Sequence, residues 1–96
     1  MVMVTQPLVT LEQVKARLRI DAIDDQADVE DMMLEGTDIV LGYLKLKTVP
    51  WSVDTVPARI RTAILLVIRA LYDGEENPLS QAVLDVLHRD RDPALA

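Results

Sequence analysis

Apolar residues recur every three or four positions in four segments of this chain, and that period predicts four helices over about 11–20, 25–47, 57–73 and 78–90. In the first, Leu11, Val14 and Leu18 share a face while Glu12, Lys15, Arg17 and Arg19 turn outward, which describes an amphipathic arm. Its start signals are complete. Thr10 is placed to cap it, Gln13 to close a capping box, and Val9 and Val14 to form a hydrophobic staple. The second helix is predicted to start at an Asp24-Asp25 cap, with Asp28, Glu30 and Asp31 near the positive end of the helix dipole and Lys45 and Lys47 at the other end. Between these ends Val29, Met32, Met33, Gly36, Ile39, Val40, Tyr43 and Leu44 form a stripe broad enough to meet two neighbours.

Pro50 ends the second helix, Trp51 stands in an ordered loop, and Pro57 suits the first turn of the third helix. That third helix is apolar on most of its circumference: Ile60, Ala63, Ile64, Val67, Ile68 and Leu71 form one set, and Leu65, Leu66 and Ala70 a second. Such a helix is central in its domain or is buried partly by another copy of the chain. Gly74 is the expected C′ stop, and Asn77 with Pro78 the expected cap and first residue of a fourth helix bearing Leu79, Val83, Leu84 and Leu87. Residues 91–96 read as a frayed tail. The fold class expected is all-α: one small four-helix domain over residues 1–96, with a long second helix packed antiparallel to an apolar third.

Composition narrows the function. Half of the 96 residues are hydrophobic, yet there is no Phe and only one Trp, so the core must be aliphatic. The absence of cysteine removes disulfides, thiolate metal sites and cysteine nucleophiles. A net charge of −6 argues against binding nucleic acid by phosphate neutralisation. The longest apolar run, Ala63 to Ile68, is far below the roughly 20 residues of a membrane span, so a soluble chain without a membrane partner is expected.

Candidate chemistry is sparse. Asp24, Asp25 and Asp28 spell DDxxD, a magnesium-diphosphate pattern in prenyl-transferring enzymes, but those need a larger bundle and a second acidic motif, and a capped helix start accounts for the three aspartates. The spacing does not fit an EF-hand loop. His88 is the single histidine, and Ser52 and Ser80 lack a nucleophile elbow or a nearby histidine. No catalytic residue, metal ligand or cofactor is expected, and the chain does not read as an enzyme.

The order TLEQVKARLRID, then DDQADVEDMMLEGTDIVLGYL, then a Pro-interrupted loop, then VPARIRTAILLVIRALYDGEE resembles the small head-tail connector proteins of tailed bacteriophages. These are also called DNA-packaging or head-completion adaptors, and related ones occur in prophages and gene transfer agents. The resemblance spans Val9 to Glu76 and departs from the family where Tyr72 is followed by Asp-Gly-Glu-Glu instead of a segment containing Arg. It implies a structural subunit of the virion, made in the bacterial host cytoplasm and placed at the head-tail junction. There it would form a homo-oligomeric ring, expected to be dodecameric on the portal, that extends the DNA channel and contacts the portal protein and the next head-completion or tail protein.

Two groups of residues acquire a role in that setting. Trp51, Arg59, Arg61, Leu65, Leu66 and Arg69 are candidates for an interface, with closure of the chain's own core the alternative for Trp51 and solvated surface the alternative for the arginines. Asp24, Asp25, Asp28 and Asp31, or else Asp73, Glu75 and Glu76, are candidates for an acidic channel surface that does not retain passing DNA. A different class of function, a small acidic helical regulator or antitoxin-like binding module acting through helix three, fits the same composition.

Overall fold

The computed structural model describes residues 7–19, 26–45 and 51–87. They form four helices, α1 (Leu11–Leu18), α2 (Gln26–Leu44), α3 (Ala58–Tyr72) and α4 (Gln81–Leu87), and no strand. The fold is all-α. Helix α3 touches each of the other three, so its nearly continuous apolar surface is covered from within the chain. The core is aliphatic: Val14, Val40, Leu44, Ile60, Ala63, Ile64, Val67 and Leu87 are fully buried, and Trp51 and Tyr43 pack against it only partly buried.

Local signals set the helix ends. Gln13 N–H donates to Thr10 Oγ1 at 3.2 Å and Thr10 N–H donates to Gln13 Oε1 at 2.9 Å, the reciprocal bonds of a capping box. Val9 and Val14, the staple positions, are both buried. Helix α1 stops at Leu18 because Arg19 turns left-handed, with φ 59°, and its N–H returns to Lys15 O. Helix α2 likewise stops at Leu44, short of the expected 47, because Lys45 has φ 57°. The Asp24-Asp25 cap, Lys47, Pro50, His88 and residues 91–96 lie outside the described residues.

Two starts differ from the sequence reading. Pro57 takes the N-cap of α3, one place before the first turn: its ψ of 146° is not helical, although its carbonyl accepts the first helical bond from Arg61 N–H. Helix α4 begins at Gln81, not at Pro78. Asn77 Oδ1 accepts from Leu79 N–H and folds an Asx turn around Pro78, so the capping falls to Ser80, whose Oγ accepts from Val83 N–H and whose carbonyl accepts from Leu84 N–H. The end of α3 follows expectation. Gly74, at φ 75°, donates to Leu71 O while Glu75 N–H reaches back to Ala70 O, the paired bonds of a Schellman stop.

The α2–α3 seam is close-packed. A Cβ at Gly36 would lie 2.7 Å from Ile68 Cγ1, a separation real Cβ atoms do not tolerate, so glycine is what lets the two helices approach this closely. Thr37 beside it is a buried polar side chain, at 0% exposure. Its hydroxyl donates to Met33 O at 2.8 Å and accepts from Leu8 N–H at 3.3 Å, which ties the segment ahead of α1 to the middle of α2.

Candidate functional site

On the other flank of α3 lies an open groove of about 740 Å³. Helix α1 supplies one wall through Gln13, Ala16 and Arg17, continued by Arg19 at its stop. The opposite wall is Ala58, Arg61, Thr62, Leu65 and Arg69 of α3, whose three- and four-residue spacing puts them on one side of that helix. Four of the chain's ten basic residues therefore line one concavity, and no carboxylate is among its lining residues. In a chain of net charge −6 this is a strong local reversal of sign, and it favours an anion in the groove.

The arginines are held loosely by the chain itself. Arg69 Nη1 donates to Arg17 O at 3.4 Å and stitches the end of α1 to α3. Arg69 Nε also stands 3.5 Å from Asp73 Oδ2, but both side chains are about half exposed (51% and 48%), and such a pair contributes at most about 1 kcal/mol. Arg61 Nη2 reaches Val56 O at a marginal 3.5 Å, while its Nε is shielded from solvent and has no acceptor. A buried donor without a partner costs about 1–3 kcal/mol. The guanidinium is a planar fork of five donors matched to carboxylate and phosphate oxygens. The groove is thus equipped to hold anionic groups.

The sequence candidates fall into distinct places. Arg61, Leu65 and Arg69 line the groove, whereas Arg59 is exposed outside it, and Leu66 is half-buried. Trp51 lies, partly buried, against the core of its own chain, next to a turn in which Ser52 N–H donates to Thr55 Oγ1 at 2.8 Å. Asp28 and Asp31 are exposed on α2, and Asp73, Glu75 and Glu76 are exposed around the Gly74 corner. Asp24 and Asp25 lie outside the described residues. Sequence reasoning missed Arg17 and Arg19, taking them as outward-facing charges of an arm. The usable signal was the pairing of Arg61, Leu65 and Arg69 at intervals of four, which marks a cationic strip on an otherwise apolar helix. Among the described residues no group of three or more His, Cys, Asp or Glu is placed to hold a metal ion, and no helix is long and apolar enough to cross a membrane.

The family model described as phage gp6-like head-tail connector protein matches residues 8–89, which takes in all four helices and both walls of the groove. No curated protein and no solved structure matches the chain.

Proposed function

Because the chain belongs to the phage gp6-like head-tail connector family, we propose that it is a structural subunit assembling as a ring between portal and tail. The ring extends the DNA channel and completes the head, with the portal protein on one side and the next head-completion or tail protein on the other. The observation that carries this reading is the family match across nearly the whole chain. Two structural features support it. Most apolar residues of α3 are buried inside the chain, which leaves little free apolar surface for a regulator acting through α3. An exposed acidic surface, either on α2 around Asp28 and Asp31 or at the corner of Asp73, Glu75 and Glu76, suits a channel lining that does not hold duplex DNA by phosphate contacts.

Loss of the gene from a particle-producing cell is the direct test. DNA-filled heads unjoined to tails are expected to accumulate, and purified chain added to the lysate is expected to restore joining. Fully tailed particles in its absence would overturn the reading.

A further inference from the structure

The groove and the acidic side of α2 match in charge, length and placement. Asp28, Asp31, Glu35 and Asp38 are all exposed, and at intervals of three, four and three residues they run along one side of α2. Val29, Met33, Val40 and Leu44 are buried on the opposite side. The acidic stripe is therefore turned away from α3 and cannot fill the groove of its own chain. At 1.5 Å per residue the stripe from Asp28 to Asp38 is about 15 Å long, and the α3 wall from Ala58 to Arg69 about 16 Å.

We propose that the groove receives the acidic α2 stripe of a second copy of this chain, with Arg17, Arg19, Arg61 and Arg69 of one copy holding Asp31, Glu35 and Asp38 of the next. This rests on the reading of the chain as a self-assembling connector and gives its copy-to-copy contact residues. Four arginines line the groove with no carboxylate among its lining residues, and carboxylates brought by a second copy accept in pairs from each guanidinium fork. The long bonds of Arg61 and Arg69 leave donors to spare for them. A nucleic acid is the poorer occupant, because the acidic stripe and the net charge of −6 repel phosphates. Since stripe and groove lie on different sides, the contact is head-to-tail. Each copy in a row keeps a stripe at one end and a groove at the other, and repetition closes a ring where the rotation permits. Asp73, Glu75 and Glu76 are then the acidic surface left to face the channel.

The test is sedimentation of the full chain at low salt across a concentration series, with thermal melting as the folding control. Arg17→Glu with Arg69→Glu, and separately Glu35→Lys with Asp38→Lys, are each expected to raise the concentration needed for assembly about tenfold or more, a loss of one or more ion pairs. Combining all four reversals in one chain is expected to restore assembly. Where a reversal lowers the melting temperature, the neutral pair Arg17→Gln with Arg69→Gln takes its place and is expected to act in the same direction. Assembly indifferent to the reversals, a combined variant no better than its parents, or a wild-type chain that stays monomeric throughout overturns the groove contact. So does arginine-dependent retention of duplex DNA, which assigns the groove to phosphate. None of these outcomes overturns the connector reading, which falls only if tails join normally without the chain.

Discussion

Toward α2, helix α3 is closed and apolar; toward α1, the same helix is open and charged. On the first flank Gly36 admits Ile68 so closely that a single methyl group has no room, and Thr37 satisfies its hydroxyl within the seam. On the second, Arg61 and Arg69 stand around a groove of about 740 Å³ with donors the chain does not use. The two surfaces are separated by angle around one helix, not by position along it. A 15-residue helix can then anchor a fold and carry a recognition surface together. The difference teaches where substitutions should be felt as stability and where as association.

The sharpest way to break that division is to cut into the closed flank. Ile64→Ala, at a fully buried position, is expected to cost about 2–5 kcal/mol, from lost burial and the cavity left behind. That is a large part of the roughly 5–14 kcal/mol available to a chain of this length, and it should appear as a strongly lowered denaturant midpoint. Gly36→Val is next. Its side chain meets Ile68 and the helix behind it, and overpacking of this kind costs about 1–3 kcal/mol, lowering Tm by about 4–8 °C for each kcal/mol. A Tm equal to that of wild type would show that α2 and α3 do not approach as closely as described.

The open flank depends on α1 staying folded, so its cap offers an intermediate effect. Thr10→Ala breaks one half of the capping box and is expected to cost about 0.5–2 kcal/mol, read in the same denaturant titration. The smallest effects belong to the groove itself. Arg69→Ala is expected to change stability by no more than about 1 kcal/mol, because its pair with Asp73 is solvated and its bond to Arg17 O is long and exposed. Arg61→Met keeps the packed stem and removes a shielded donor, so calorimetry should show no loss or a gain of up to about 1 kcal/mol. Groove substitutions as damaging as Ile64→Ala would erase the distinction between the two flanks.

What the sequence made legible was local. The capping box at Thr10, the Schellman stop at Gly74 and the long stripe of α2 each depend on residues within a few positions of one another, and each is found where its pattern predicts. The start of α4 was misread because Asn77-Pro78 is a helix-start pattern that serves here as an Asx turn, and only the competing Ser80 cap decides between them. The groove was half legible. Arg61, Leu65 and Arg69 could be grouped by spacing, but Arg17 and Arg19 join them only through the docking of α1 on α3, a contact across some 50 residues that no periodicity encodes. The bond from Leu8 to Thr37 was hidden for the same reason.

The left-handed turn at Arg19 is a place where ease of folding and usefulness pull apart. A residue with a Cβ is held there at φ 59°, a conformation that costs about 1 kcal/mol or more and that glycine would adopt freely. Arg19→Gly would relax the backbone and at the same time strip one guanidinium from the groove. Selection for a sturdier subunit alone would therefore erode its grip on a partner, and an engineer seeking a more robust version should leave this strained position as it is.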